Sequence, residues 1–530
     1  MRHADMTPPL VLRNARVWAG AGLPTATTVA IRDGRIAAVG DDRVAAAAGP
    51  GARTFDLGGR TVIPAFHDAH AHIWKIGHLL TTMLDLRGVE SIEAVVAKVA
   101  AFRGRLPDGA WLLGRGFNEA TMAEGRMPTR ADLDCAAPNQ PVVLTRTCGH
   151  IYAANSAALA AAGITAATTP PVGGEIDRGA DGTPTGVLRE TAMGLITKVM
   201  PPPTDDDYER MIAAALRHQL SLGITMSSCC GVNPQLLAVY RAMDAGGRLP
   251  ARMNVMPFRR VDGVPAPVPL PAMHRSPMLH VDTVKFLADG GLSGATAALS
   301  VDYRHAPEKG VLRFDRDELL ALCRESHDAG WRIATHAIGD VAIEQMLDIY
   351  ETLGPHPRGL GHRIEHLGLP SAAQLARAAR LGVIAAPQSI FLYELGRNFR
   401  DYLPDALMPR CYPLRAMLDA GVTVALSSDA PVVENDNPLA GMTAAITRND
   451  RAGQPLLPEQ AITAAEALAA YTRGGALAVG LERELGTIAK GYRADLAVLS
   501  GDPLTTPPEA LGSLAVDLTL LDGRVVYERA

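Results

Sequence analysis

Two histidines, at positions 70 and 72, are the first residues in this sequence whose types and spacing could do chemistry. They lie in AFHDAHAHIW, at the end of a segment predicted to be a strand over 62–72. Because side chains alternate between the two faces of a strand, His70 and His72 are expected to point the same way. Two imidazoles that converge in this manner are typical ligands of a divalent metal ion.

Three further candidate ligands lie near the ends of other predicted strands. His336 follows RIAT, His366 lies in HRIEHLG, and Asp429 lies in VTVALSSDA. Imidazole and carboxylate ligands suit Zn²⁺, and Fe²⁺ or Mn²⁺ is also compatible with them. If these strand ends meet, the five side chains can surround one metal site, and a coordination position left open makes such a site catalytic.

The predicted elements between residues 63 and 480 explain how these residues could meet. Strand-length apolar runs alternate with helix-length amphipathic segments, which is the pattern of βα units around a parallel sheet. The eight predicted strands are 62–72, 223–230, 251–258, 282–290, 332–340, 362–368, 382–389 and 422–430. We therefore expect an α/β fold, a (β/α)8 TIM barrel, in which the carboxyl ends of the strands surround one mouth.

Two other regions complete the predicted organisation. Short alternating strands in residues 1–62 and 481–530 indicate a small β-sandwich domain built from both termini. Residues 85–205, between the first and second barrel strands, contain strand-like runs of their own and a Gly/Pro-rich stretch. They are expected to form an inserted subdomain that overhangs the barrel mouth.

Lys285 is unusual because the chain carries only six lysines among 51 Lys and Arg residues, yet this one lies inside the apolar strand DTVKFLADG. Burial of an ammonium is costly and lowers the pKa of the lysine, so the neutral amine becomes available. A neutral amine can add CO2 to form a carbamate, whose two oxygens could bridge two metal ions. Alternatively, Lys285 could form an ion pair with Asp289 on the same strand.

The composition excludes several other classes of protein. With 530 residues, 48% of them hydrophobic, the chain is globular rather than disordered. A net charge of −5 without a basic block argues against nucleic acid or an anionic membrane as a partner, and leaves a small molecule as the expected ligand. No signal-peptide pattern or long apolar run is present, and the six cysteines form no CxxC pair, so a cytoplasmic protein with reduced thiols is expected.

Taken in order, the motifs resemble the amidohydrolase superfamily, most closely the branch of YtcJ-like and N-substituted formamide deformylase-like proteins. The segments that carry the resemblance cover nearly the whole chain and include PAFHDAHAH, GRGFNEA, PVVLTRTCGHIYAANSAAL, GGEIDRGADGTPTGVLRE, VKFLADGG, THAIGD, HRIEHL, SSDAPV, AYTRGGA and GTIAKGYRADLAVLSGDP. The resemblance implies that His70 and His72 bind one Zn²⁺ ion and that His336 and His366 bind a second. It further implies that carbamylated Lys285 bridges the two ions, that Asp429 is the metal-bound base and proton shuttle, and that the protein is a homodimer.

The chain departs from the motifs of this branch at three positions. Ala65 stands where the family commonly has Gly, and His67 where it has an apolar residue or Asn. Ala295 stands where an Arg is often found, so no anion-binding role is carried over to that loop.

The predicted function is hydrolysis of a non-peptide C–N amide bond, of the N-substituted formamide or N-acyl amine type, by metal-activated hydroxide. Two alternatives remain: a mononuclear deaminase or other hydrolase in which Lys285 is structural, and a catalytically inactive assembly or regulatory homologue. Trp74 shares strand parity with His70, and Phe117, Phe391 and Tyr393 lie in segments expected near the mouth. The residues predicted to contact substrate are Trp74, Phe117, His150 and Arg415.

Overall fold

The computed structural model describes residues 8–107, 109–146, 151–171, 173–260, 266–305 and 307–530. Two compact units are present: residues up to 73 together with 215–530 form the first, and residues 74–214 form the second. None of the helices in these described ranges is long and apolar enough to cross a membrane.

Eight strands of the first unit run parallel to one another, and the predicted metal ligands lie on them or in the segments that follow them. They are β1 (Phe66–Ala71), β2 (Ile224–Val232), β3 (Arg252–Pro257), β4 (Thr283–Leu287), β5 (Arg332–Ala337), β6 (Arg363–His366), β7 (Ile384–Ala386) and β8 (Thr423–Val424). Strand β2 pairs with β1 and β3, and β4 to β8 pair in chain order. All eight predicted strands are therefore present, in an α/β arrangement that is TIM-barrel-like.

Further hydrogen bonds connect these two parallel sheets. A parallel bridge between Phe258 and Lys285 joins the end of β3 to β4. At the other edge, the Asp429 amide donates to the carbonyl of His70 at 2.7 Å, and the His72 amide donates to the carbonyl of Ala430 at 2.8 Å. The segment after β8 is thus held against β1.

Helices follow most of these strands, and their first turns are capped by local side chains. Asn233 accepts a hydrogen bond from the Leu236 amide, and Ser371 and Thr463 form capping boxes with Gln374 and Glu466. The α-helices of this part of the chain are Asp205–Ser221, Pro234–Ala245, Arg316–Asp328, Asp340–Leu353, Ala372–Arg380, Ile390–Tyr402, Leu414–Asp419, Pro438–Thr447, Ala464–Ala469 and Gly475–Val479. The helix Asp205–Ser221 crosses the boundary between the two units, which falls between Ala214 and Ala215.

Strands from both ends of the chain pair with each other. A mixed five-stranded sheet contains Arg16–Val17, Thr61–Pro64, Leu496–Leu499, Val516–Leu521 and Arg524–Glu528. A four-stranded sheet contains Leu10–Arg13, Thr28–Arg32, Arg35–Gly40 and Arg53–Asp56. Apolar side chains of the two sheets, such as Leu12, Val29, Val62 and Leu496, share one buried core. The strand predicted over 62–72 is therefore two strands, of which only the second is β1.

The second unit has its own sheet and its own core. Six strands are hydrogen-bonded in the order Gly174–Arg178, Pro184–Glu190, Ile151–Ala154, Val142–Arg146, Leu112–Phe117 and Met83–Asp85. Its helices include Ile92–Arg103, Arg130–Asp134, Ser156–Ala161 and Met193–Thr197, and the helix Ile73–Thr81 leads into it from β1. Leu112, Val142 and Leu144 pack with Val95 and Val99 in its core.

Candidate metal centre

The imidazoles of His70 and His72 are oriented by hydrogen bonds to their Nδ1 atoms. Nδ1 of His70 lies 2.5 Å from Oε2 of Glu365, and Nδ1 of His72 lies 3.1 Å from the carbonyl oxygen of Cys230. Because the carboxylate and the carbonyl are acceptors, each ring carries its proton on Nδ1. Nε2 is therefore the ring atom that each histidine would present to a metal ion.

Asp429 faces both of these Nε2 atoms from the segment after β8. Its Oδ1 lies 3.1 Å from Nε2 of His72 and 3.4 Å from Nε2 of His70. Burial by itself raises the pKa of Asp429, but protonated His70 and His72 rings outweigh it and hold the pKa well below the usual value. The carboxyl group is consequently ionised, and a divalent ion bound at the two Nε2 atoms would favour the same anionic form.

The backbone at Asp429 adopts a left-handed conformation with φ of 55°, which is uncommon for a residue with a side chain. Two hydrogen bonds from Ser428 to Asp68, one from its amide at 3.1 Å and one from its hydroxyl at 2.5 Å, hold the preceding residue against β1. The local structure thus fixes the position of Asp429.

His336 and His366 lie beside the first pair. The ring centroid of His366 is 4.9 Å from that of His70 and 4.4 Å from that of His336. Nδ1 of His366 donates to Oε1 of Gln388 at 2.6 Å, whereas Nε2 of His336 donates to the carbonyl of Gly290 at 3.0 Å. The nitrogens left for a metal are therefore Nε2 of His366 and Nδ1 of His336. Burial lowers the pKa of His366 well below its usual value, so the ring is neutral.

Lys285 is 2% exposed, and its Nζ has no hydrogen-bond partner among the described residues. A positive charge on Lys285 would lower the pKa values of both His366 and Glu365, so its Nζ lies near these two side chains. The alternative prediction of an ion pair with Asp289 is wrong. That carboxylate instead accepts backbone hydrogen bonds from Ala298 and Gly339 and lies 3.2 Å from Nε2 of His336.

These donors fit a divalent metal ion. The ligand atoms of His70, His72 and Asp429 lie within 4.8 Å of one another. Oδ1 of Asp429 accepts no well-directed hydrogen bond from any described residue, although it is buried. Imidazole nitrogens and a buried anionic oxygen are the donor set expected around Zn²⁺, Fe²⁺ or Mn²⁺.

Glu365 and Arg363 were missed by the sequence analysis. Both side chains are fully buried on β6, and Glu365 contacts Arg363 as well as His70. A signal for them exists, because two charged residues with Arg-x-Glu spacing in a short buried strand must be paired. Cys230 completes a second close group with His70 and Glu365.

Three of the residues predicted to contact substrate are described by their own contacts. Trp74 lies in the helix Ile73–Thr81 and packs against Tyr208, so its predicted strand parity with His70 is wrong because the strand ends at Ala71. Phe117 is fully buried in the core of the second unit. Arg415 is engaged by Asp419 and Glu466.

Of the other residues expected near the mouth, Phe391 lies at the candidate metal centre and Tyr393 is partly exposed. Phe391 is buried and stacks on His366 with ring centroids 6.3 Å apart, so it borders the candidate metal centre. Tyr393 is 39% exposed and lies under the guanidinium of Arg451. His150 lies outside the described residues.

A TIM-barrel-like fold with four histidines and an aspartate converging from its strand ends defines the class of metal-dependent hydrolases. The chain belongs to the Amidohydrolase family, whose model matches residues 53–527. It is 32% identical over 491 residues to a protein of Bacillus subtilis strain 168 named "Putative amidohydrolase YtcJ", and the match covers 91% of this chain and 92% of that protein.

Two further comparisons agree with this family. The chain is 32% identical over 525 residues to the N-substituted formamide deformylase of Arthrobacter pascens, covering 95% of each protein. Its structure is similar to that of an uncharacterized metal-dependent hydrolase from Pyrococcus furiosus, with a TM-score of 0.79, 28% identity, and coverage of 94% of this chain and 100% of that chain. The protein is therefore a hydrolase of the amidohydrolase family that acts on carbon–nitrogen bonds.

Proposed function

We propose that the protein hydrolyses a non-peptide amide bond in a small molecule, of the N-substituted formamide or N-acyl amine type. The observation that carries this proposal is the convergence of the Nε2 atoms of His70 and His72 on ionised Asp429. The choice of substrate class is supported by the 32% identity with the formamide deformylase over 95% of both chains.

In this proposal, His70, His72 and Asp429 hold one divalent ion, and His336 and His366 hold a second. Zn²⁺ is the best match to neutral imidazoles and a carboxylate, with Fe²⁺ or Mn²⁺ as alternatives. When bound, such ions supply Lewis acidity, which lowers the pKa of an attacking water and polarises the amide carbonyl.

Lys285 would bridge the two ions after carboxylation. The neutral form of Nζ would add CO2: an N–C bond forms, one C=O π bond of CO2 opens to leave a negative oxygen, and the nitrogen gives one proton to water. The product is an anion with two ligand oxygens. The buried, unpartnered Nζ supports this assignment, because an isolated ammonium is expensive to bury, whereas an anion among imidazoles and cations has favourable contacts.

Asp429 would move the proton during hydrolysis. Its ionised carboxylate accepts a proton from the attacking water, and the protonated form returns that proton to the departing amine nitrogen. The Asp68–Ser428 hydrogen bonds keep this carboxylate from swinging away, and the buried ring of Phe391 excludes water from one side of His366.

We also infer that the domains are organised as the sequence predicts, as a closed barrel and a terminal β-sandwich. Hydrogen bonds at both sheet edges support a closed (β/α)8 barrel over 63–480. The shared core of the two terminal sheets supports a β-sandwich made from residues 1–62 and 481–530. A cytoplasmic homodimer stays a prediction.

The proposed activity can be tested on protein purified without chelator. Matched series of N-formyl and N-acyl amines are incubated with it, and release of the amine and the acid is measured together with the metal content per chain. Amine release with about two ions per chain is the expected result. A metal-loaded protein that releases no amine from either series would overturn the substrate class. Ammonia release by a protein with about one ion would instead establish the deaminase alternative.

A further inference from the structure

A buried ion pair on β6 connects two strands of the candidate metal centre. Oε1 of Glu365 accepts from Nε of Arg363 at 2.7 Å, and Oε2 accepts from Nη2 of the same guanidinium at 2.9 Å. That guanidinium also donates to the carbonyl of Ala69 on β1 at 2.6 Å. The pair therefore links β6 to the strand that carries His70.

Glu365 reaches His70 from the same strand end as His366. Consecutive residues of a regular strand point to opposite faces, so the sequence alone places only one of Glu365 and His366 beside His70. In the structure, His366 and Leu367 have left-handed φ angles of 72° and 46°. The chain turns at this point, and Glu365 approaches Nδ1 of His70 while the His366 ring lies 4.9 Å from the His70 ring.

The contacts of Glu365 favour a hydrogen bond to His70 over direct binding of a metal ion. Both carboxylate oxygens are already occupied by the guanidinium, so a metal ion held by Glu365, Cys230 and His70 would have to displace Arg363. Oε2 instead accepts the Nδ1 proton of His70 at 2.5 Å. This hydrogen bond fixes both the ring plane and the nitrogen that carries the proton.

We propose that Glu365, held by Arg363, is a positioning residue that keeps the proton of His70 on Nδ1 and so presents Nε2 to the divalent ion. The inference rests on the proposed function only in requiring that the chain bind a divalent ion. It does not depend on the identity of the amide substrate.

The matched control for this proposal is a second buried ion pair. Arg252 and Asp495 are 2% and 3% exposed at their side chains and are joined by two hydrogen bonds, of 2.9 and 3.0 Å, without contact to the metal centre. Glu365→Gln and Asp495→Asn each replace a buried carboxylate by an amide of the same size. Only the first substitution alters the partner of His70.

The test measures Zn²⁺ affinity by competition with a chromophoric chelator, and records the visible spectrum of the Co²⁺-loaded protein. We expect Glu365→Gln to weaken binding of the tighter ion by about 10- to 100-fold and to change the Co²⁺ bands. Asp495→Asn should leave the affinity within about twofold of the parent, although it lowers the melting temperature. An unchanged affinity in Glu365→Gln, or an equal loss in both variants, would overturn the proposal.

A second variant keeps the test decisive if Glu365→Gln fails to fold. Arg363→Lys retains the charge but loses the two-point contact with Glu365 and the bond to Ala69. We expect it to weaken Zn²⁺ binding as well, and an affinity within about twofold of the parent would contradict the positioning role. A parent protein that binds no divalent ion would overturn the proposed function itself, which is a different outcome.

Discussion

Oδ1 of Asp429 lies 3.1 Å from Nε2 of His72, and the backbone on either side joins the same two segments through hydrogen bonds from Asp429 to His70 and from His72 to Ala430. The side-chain contact is therefore fixed by the pairing of β1 with the segment after β8. A residue held this firmly can serve as a ligand and a proton carrier without reorganisation.

The first prediction concerns the proton transfer by Asp429. Asp429→Asn keeps one ligand oxygen but cannot accept a proton, so we expect the protein to retain most of its metal while kcat falls by about a thousandfold. Metal content and steady-state kinetics measure the two effects separately. Asp419→Asn, at an exposed residue paired with Arg415, is the control and should leave both quantities unchanged. An unaltered kcat in Asp429→Asn would remove the assigned role.

The second prediction concerns carboxylation of Lys285. Intact-mass analysis in bicarbonate should show an adduct of about 44 Da, and Lys285→Arg should lose it and bind about one ion fewer per chain. Lys309→Arg is the matched control because Lys309 is exposed. Two ions bound by Lys285→Arg without any adduct would show that the bridge is formed by another group.

The strands and the ligand positions could be predicted from the sequence because they depend on local patterns. Apolar β-branched runs identify buried parallel strands, and the HxH spacing of His70 and His72 fixes their common face whatever the rest of the chain does. The placement of His336 and Asp429 at strand ends then follows from the order of the elements.

The supporting residues could not be predicted because they depend on tertiary structure. Glu365 contacts Nδ1 of His70 across 295 positions of the chain, so the buried Arg-x-Glu spacing indicates a paired carboxylate but does not identify His70 as its second partner. Trp74 was misplaced because the chain changes from strand to helix between Ala71 and Ile73. The burial of Phe117 likewise depends on tertiary structure, because it packs in a separate core of the second unit.

The third prediction concerns the buried ion pair of Arg252. Its guanidinium is shared by Asp495 and Asp522, so it connects β3 to the C-terminal strands. Asp495→Ala removes two hydrogen bonds from this buried guanidinium and leaves it paired with Asp522, so it should lower the free energy of unfolding in urea by about 3 kcal/mol. Asp401→Ala, which breaks the exposed pair with Arg397, should cost less than about 1 kcal/mol. Equal costs would contradict the assigned importance of the buried pair.

The fourth prediction concerns the buried histidines His356 and His362. Nδ1 of His362 accepts from the Ile333 amide, and Nδ1 of His356 accepts from the Arg358 amide, each at 3.1 Å. A proton on either Nδ1 would face a backbone N–H, so both rings are held neutral. Burial lowers the pKa of His356 from 6.5 to about 4, and lowers that of His362 well below its usual value, with Arg332 contributing in both cases.

The sign of the resulting pH dependence follows from these depressed pKa values. Between pH 6.5 and about 4 the unfolded histidine binds a proton that folded His356 does not, so stability present above pH 6.5 is lost as the pH falls through this range. The slope is at most about 1.4 kcal/mol per pH unit for each proton. His356→Asn retains an acceptor for the Arg358 amide but does not titrate, so its unfolding free energy should depend less steeply on pH. Exposed His305→Asn serves as the control, and an equal slope in parent and His356→Asn would show that acid acts elsewhere.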